Sequence, residues 1–482
     1  MSGDSLGNKA LKGSVWAAVD KFGSMSLQFF TNLVLSHLLL PEDFGTIGIL
    51  SIFLLVAQSL IDGGFGASLI QKKEPTQDDY STIFWWNIGL AILLYAVLFI
   101  ASPIISRFYR IDTLLSVLRV IGVVLITNSL SVIQANRLRK QLAFGKLAFV
   151  NITAYIIGAV VGVMAAVEGY GVWSLVLMQL SYSLFTAILL WIITHWRPSF
   201  VFSVTSFKKL FSYGGYLLTA GLLQEICKNF PGIIIGRKFN TTQMGYYSQA
   251  AKLDSVASSS LSGIIVQVMF PVYSSIQDEQ ERLIEMLKMN VRVISILVFP
   301  LMGGLILTAE FFFDFLYGEI WIPSSPYFQI LCVGGIFVCL QNINFYAVAA
   351  KGKSRQLFFW SFYKWGALLV LMLIGMNFGM KGLVWSMVVS SVNIWATNAL
   401  LVQKYVGLKF LSQIEQILPA FFAVAISLAI SLLLNQKIEL SLLVSVCIYA
   451  VLCVGIPLLF RFKSVDDVFT LVSYLRNKNN RK

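Results

Sequence analysis

Apolar residues in this chain follow neither a helical stripe nor a strand alternation. They run unbroken for 18 or more positions, again and again, from near residue 13 to near residue 460. Such runs are the mark of helices solvated by lipid on every side. The pattern predicts helices near 13–36, 44–70, 81–105, 113–135, 147–167 and 171–194. After a polar break it predicts 212–236, 246–274, 291–310, 326–350, 357–378, 382–403, 418–435 and 440–460. Each is long enough to cross roughly 30 Å of hydrocarbon at about 1.5 Å per residue.

Composition agrees with this reading. Of 482 residues, 57% are hydrophobic and only 12% charged, too few charges to cover a soluble domain of this length. The net charge of +13 raises nucleic acid as a partner. The basic residues, however, sit in short clusters between apolar segments and form no continuous face. Counting Lys and Arg in alternate loops gives 25 on one side and 6 on the other, with both termini on the rich side. By the positive-inside rule both ends are expected in the cytoplasm.

An internal repeat organises the helices. Phe44-Gly45 after the first helix matches Met244-Gly245 after the seventh, and Gly63 matches Gly263. Lys140-Gln141-Leu142 recurs as Arg355-Gln356-Leu357, and Trp173-Ser174 as Trp385-Ser386. The expected fold is therefore an all-α polytopic membrane protein of about 14 transmembrane helices. Two parallel six-helix lobes would surround a central cavity, with two further C-terminal helices. Residues 1–194 form the expected N-lobe, 195–211 a cytoplasmic linker, 212–410 the C-lobe, and 411–482 helices 13–14 with a basic tail.

Candidate functional residues are the ionisable groups inside the spans: Asp20, Lys21, Asp62, Arg119, Glu225, Lys228, Lys252, Asp254 and Lys364. Each costs on the order of 3 kcal/mol at mid-helix, so each should face protein or water. Five bases against four acids tint such a cavity positive, which suits a phosphate-bearing substrate. Asp20 and Lys21 could instead pair structurally, Glu225 and Lys228 could neutralise each other, and Asp62 precedes a Gly-Gly pair where a helix could bend. Arg119 and Lys364 lie near span ends and are expected to snorkel.

The remaining chemistry-bearing residues point to no reaction. The five cysteines have no zinc-like spacing and read as small buried side chains. Two histidines, no phosphate-binding loop and no nucleophile elbow argue against an enzyme, and no cofactor is implied. The first apolar segment carries Asp20 and Lys21 and reads as an uncleaved helix. Residues 277–292 read as an amphipathic surface helix, Trp16, Trp85, Trp86, Trp173, Trp321 and Trp385 as an interfacial belt, and Pro231, Pro271 and Pro300 as places where spans can kink.

An ordered set of short motifs carries a family resemblance. Pro-Glu-Asp-Phe-Gly at 41–45, Asp-Gly-Gly-Phe-Gly-Ala at 62–67 and Asp-Tyr-Ser-Thr at 79–82 are followed by Gly-Val-Trp-Ser-Leu-Val at 171–176. Trp-Arg-Pro at 196–198, Gly-Tyr-Tyr at 245–247, Phe-Pro-Val-Tyr-Ser at 270–274 and Ala-Lys-Gly-Lys-Ser at 350–354 complete it. Over roughly residues 10–410 the chain resembles Wzx-type polysaccharide exporters, closest to the colanic-acid-exporter-like branch. The resemblance implies a bacterial inner-membrane flippase that moves an undecaprenyl-diphosphate-linked oligosaccharide by alternating access. Membrane lipid, a coupling cation and a polysaccharide polymerase are its implied partners. It points to Lys21 and Lys252 as substrate-binding bases; the embedded-charge reading adds Lys228 and Asp20 to the substrate site and puts coupling or gating on Asp62, Glu225 and Asp254. A multidrug cation antiporter of the same superfamily is the alternative, for which an acid-dominated cavity is expected.

Overall fold

A computed structural model describes residues 3–438 and 441–467. The basic residues of the tail beyond 467, and the first residues of the helix expected at 440–460, lie outside them. Helices follow one another with short connections: α1 (Gly3–Leu38), α2 (Pro41–Asp62), α3 (Phe65–Gln71), α4 (Gln77–Tyr109), α5 (Thr113–Ile121), α6 (Val123–Lys140), α7 (Phe144–Val167), α8 (Val172–Thr194) and α9 (Val204–Lys238). Then come α10 (Thr241–Ser275), α11 (Gln280–Leu307), α12 (Ala309–Phe312), α13 (Ser325–Ala350), α14 (Ser354–Gly375), α15 (Gly379–Tyr405), α16 (Phe410–Ile438) and α17 (Leu442–Leu459).

Ten stretches of the described residues are long and apolar enough to cross a membrane, and one of them, Arg355–Tyr405, comprises both α14 and α15. Helices α1, α9 and α10 reach 36, 35 and 35 residues but carry Asp20, Lys21, Glu225, Lys228, Lys252 and Asp254. Together these helices occupy every stretch that the hydrophobic pattern marked. The protein is an all-helical, multi-pass membrane protein.

The chain divides into two compact units, residues 1–245 and 246–482. In the first, α1 packs on α7, α7 on α8, α6 on α4 and α8, and α2 on α9. In the second, α13 packs on α11 and α15, α14 on α15, and α16 on α11 and α17. Helices α16 and α17 are tied to α11 by specific bonds: the Tyr449 hydroxyl donates to the Pro300 carbonyl at 2.8 Å, and Arg292 donates to Gln416 at 2.7 Å.

Several elements differ from expectation for visible reasons. The second expected helix is broken, because Gly63 and Gly64 both take left-handed backbone (φ +52° and +69°), which L side chains adopt only at a cost. Helix α9 begins at Val204, eight residues before the expected start, because Ser203 caps it by accepting from the Ser206 N–H at 3.2 Å. The amphipathic stretch expected on the membrane surface is the first turns of α11. Leu283, Leu287 and Val291 are buried there and continue the packed seam of the span. Trp321 is fully buried beside Tyr246 and Tyr317, so it is no interfacial anchor. Cys447 is exposed, while the other four cysteines are buried.

Candidate functional site

The embedded acids are held by neutral groups. Asp20 on α1 is half-buried and accepts from the Asn151 amide nitrogen of α7 through both oxygens, at 3.1 Å each, with Ser24 at 3.5 Å. Asp62, at the end of α2, accepts from Gln58 at 3.2 Å, and Gln58 in turn accepts from Asn128 of α6 at 3.2 Å. Glu225 on α9 accepts from Asn229 one turn later, at 3.2 Å. Asp254 on α10 accepts from Ser258 at 3.4 Å; its other oxygen is buried with no hydrogen-bond partner. That oxygen faces Gly335 of α13, where a Cβ would stand 3.1 Å away.

The bases are placed differently. Lys21 and Lys228 are exposed and make no ion pair or hydrogen bond among the described residues, so neither structural pairing considered for them forms. Lys252 is also exposed, on α10. The two bases expected to snorkel do not. Arg119 donates to Ser102 of α4 at 2.9 Å and stacks over Phe99 at 4.2 Å. Lys364 is buried, donating to Asn398 of α15 at 2.5 Å with its ammonium 5.5 Å from the Phe345 ring. Inside the protein a neutral polar group and a ring face satisfied each cation at shorter reach than water.

Sequence reading missed these amides, Asn151, Asn128, Asn229 and Asn398. Their signal was present: an uncharged amide inside an apolar span is itself costly and needs a partner.

Four of the family motifs assemble into two corners of the first unit. At one, the Pro41 end of α2 meets the start of α10 backbone to backbone. A Cβ on Gly45 would lie 1.8 Å from the Thr241 carbonyl oxygen, and one on Gly245 would lie 1.9 Å from that of Pro41. Gly236 of α9 likewise packs directly on Ile49. Asp43 accepts from the Leu40 N–H at 3.0 Å, and the Thr242 hydroxyl donates to Glu42 at 3.1 Å. Gly45 and Gly245, which the repeat aligned, are thus packed on one another's helix starts.

At the other corner, residues 195–203 are strapped along the start of α4. Buried Asp79 caps that helix by accepting from the Thr76 N–H at 2.8 Å and pairs with Lys72 at 2.5 Å. Trp196 donates to Gln77 at 2.7 Å, and Ser199 donates to Ser81 through N–H and hydroxyl at 3.0 and 2.9 Å. The Ser203 N–H donates to Thr82 at 3.0 Å, and Arg137 lies over both the Tyr80 and Trp196 rings, at 5.4 and 5.5 Å. Asp-Tyr-Ser-Thr and Trp-Arg-Pro, far apart in sequence, are two halves of one clasp. Lys140 closes the same corner, donating to the carbonyls of Leu69, Ile70 and Lys72 past the end of α3.

Comparison with known proteins fits this architecture. The profile of a family described as "Polysaccharide biosynthesis protein" matches residues 34–326. The chain is 27% identical over 363 residues to the teichuronic acid biosynthesis protein TuaB of Bacillus subtilis, covering 74% of each chain. It is 24% identical over 344 residues to the lipopolysaccharide biosynthesis protein WzxC of Escherichia coli, covering 70% of this chain and 69% of that one. Among solved structures, the lipid II flippase MurJ in an inward closed conformation matches with a TM-score of 0.73 at 11% identity, over 93% of this chain and 99% of that one. A multidrug resistance MATE transporter in an inward-facing conformation matches with a TM-score of 0.55 at 14% identity, over 85% of this chain and 98% of that one. At these identities the structural matches speak to fold alone. Motif order, helix content and profile agree: the chain belongs to the polysaccharide biosynthesis protein family, as a multi-pass membrane protein of the Wzx-type exporter kind.

Proposed function

We propose that the protein flips an undecaprenyl-diphosphate-linked oligosaccharide across the bacterial cytoplasmic membrane, with both termini in the cytoplasm. The observation that carries this reading is the asymmetry of the embedded charges. The acids Asp20, Asp62 and Glu225 are each hydrogen-bonded by a side-chain amide, whereas Lys21 and Lys228 stand exposed with no ion pair among the described residues. An ammonium left without a counter-ion inside a span is stable only where water or an anionic ligand reaches it. A diphosphate supplies that anion and needs no full dehydration of the lysine. Lys21, Lys228 and Lys252 would bind it, and Asp20, turned toward Asn151, would keep Lys21 from being neutralised by its neighbour. Relatives named for teichuronic acid and lipopolysaccharide biosynthesis support a saccharide cargo, and a fold shared with a lipid II flippase supports a lipid-linked one.

Alternating access would use the glycine corner as the outer gate. Contact there is mainly van der Waals between backbones, with the Thr242–Glu42 hydrogen bond to break when the helices part. Asp62, beside the left-handed Gly63-Gly64 break, would sit at a hinge. Asp254 would take up the coupling cation or proton, because its buried oxygen lacks a partner. A polysaccharide polymerase would consume the flipped product.

The test is transport in proteoliposomes holding a fluorescent lipid-linked oligosaccharide, read as protection from a membrane-impermeant quencher. Lys21→Glu is expected to abolish flipping while the protein still inserts and purifies. Unchanged flipping in that variant would overturn the proposed pose, and extrusion of a cationic dye without lipid flipping would favour the multidrug reading.

A further inference from the structure

From Ile320 to Ile414 the chain contains not one Asp or Glu, yet it carries seven basic residues: Lys351, Lys353, Arg355, Lys364, Lys381, Lys404 and Lys409. This acid-free stretch builds α13, α14 and α15 of the second unit. No acid within these 95 residues cancels that charge.

The same stretch carries a groove. A cleft of about 500 Å³ runs between α14 and α15, walled by Trp360, Tyr363, Ala396, Leu400 and Leu401, with Lys404 at one end. Trp360 and Tyr363 pack edge to face at 5.6 Å, and both are exposed, as is Leu400 at 54%. The Tyr363 hydroxyl donates to Asn393 at 3.2 Å and the Thr397 hydroxyl to the Asn393 carbonyl at 2.8 Å, so both hydroxyls spend their donors on the protein. The surface left for an occupant is mainly hydrocarbon and aromatic, with a cation at its mouth.

That mouth holds a second cation. The Lys353 and Lys404 ammonium groups lie 5.8 and 5.5 Å from the ring centre of the same tyrosine, Tyr405. Neither lysine makes an ion pair among the described residues. Two like charges gathered on one ring repel each other unless an anion joins them.

We propose that the α14–α15 groove is a binding site for an anionic phospholipid of the adjoining leaflet. Its phosphate sits between Lys353 and Lys404 at the Tyr405 ring, and an acyl chain lies along Trp360 and Leu400. Basic pockets at helix ends beside the membrane surface bind such headgroups, and here the apolar walls add a seat for the chain. The site is separate from the lysines assigned to the cargo and stands whether or not the cargo is a saccharide lipid.

The experiment uses the full chain in nanodiscs containing photoactivatable phosphatidylglycerol or photoactivatable phosphatidylcholine, with crosslinked peptides quantified by mass spectrometry. Phosphatidylglycerol is expected to label peptides spanning residues 355–405. Labelling should fall about fivefold with each of Lys353→Gln and Lys404→Gln. Lys208→Gln with Lys209→Gln, a basic pair elsewhere, should leave it unchanged. Trp360→Ala should weaken labelling by both lipids at the groove without moving the headgroup preference. Three results would overturn the proposal: equal labelling by phosphatidylcholine, labelling that survives both lysine substitutions, or displacement of phosphatidylglycerol by an equimolar polyprenyl phosphate, which would give the groove to the cargo.

Discussion

The two corners of the first unit are joined by opposite means. At the Pro41 end, the contact depends on side chains that are absent: Gly45 and Gly245 let backbones touch. At the Lys72 end, the contact depends on side chains that are present, with Asp79, Gln77, Ser81, Thr82, Trp196 and Ser199 each spending a directional bond. A glycine contact has almost no bond to break and is disrupted by any added atom. A clasp of buried hydrogen bonds resists opening, because each group left unpaired costs about 1–3 kcal/mol. The difference fits the proposed motion at the first corner and an anchoring role for the second.

The sharpest way to break that comparison is Gly45→Val. A side chain 1.8 Å from the Thr241 oxygen cannot be accommodated, so the corner cannot close. Flipping in proteoliposomes is expected to drop at least about tenfold, since a bias of only about 1.4 kcal/mol already shifts a conformational equilibrium by that factor. A reversible version guards against misfolding. Cysteines replacing Glu42 and Thr242, whose side chains meet at 3.1 Å, should stop transport when oxidised and restore it on reduction. Transport that continues through the crosslink would remove the gate from that corner.

Asp79→Ala tests the clasp. Removing the acid takes away one half of the capping box at the start of α4 and leaves Lys72 without its partner, at a cost of roughly 3 kcal/mol. This is the low end of the range, because the Lys72 side chain is 37% exposed and keeps some water. The expected readout is a lower melting temperature, with flipping per folded molecule nearly unchanged. A variant that melts normally but transports poorly would show that this corner moves as well.

Ser81→Ala should have a smaller effect. It removes the acceptor for two Ser199 bonds at 2.9 and 3.0 Å, for about 1–2 kcal/mol in the same melt. Ser199→Ala should cost less, because the Ser199 N–H keeps its bond to Ser81. Equal losses from the two substitutions would mean that the backbone bond contributes nothing.

Helices were legible in the chain because lipid imposes one rule along the whole of it: every backbone polar group must be satisfied within its own segment, so a long apolar run has a single outcome. The charges that break those runs were legible for the same reason, and the alignment singled out Gly45 and Gly245, two positions of close backbone contact. The break at Gly63-Gly64 was only half visible, since the pair announces freedom while its neighbours decide the bend.

What the sequence could not decide was partnership. Lys364 and Lys21 look alike as single charges in apolar helices, yet one is buried on Asn398 and the other stands exposed. The one local difference, Asp20 beside Lys21, does not foretell this, because Asn398, the partner of Lys364, lies 34 residues away. The clasp has the same origin: Ser81 and Ser199 are 118 residues apart, and only packing makes them neighbours. Apolar surface is non-directional and can be counted along a chain, whereas a hydrogen bond acts over about 3 Å and exists only once the tertiary structure has brought its two ends together.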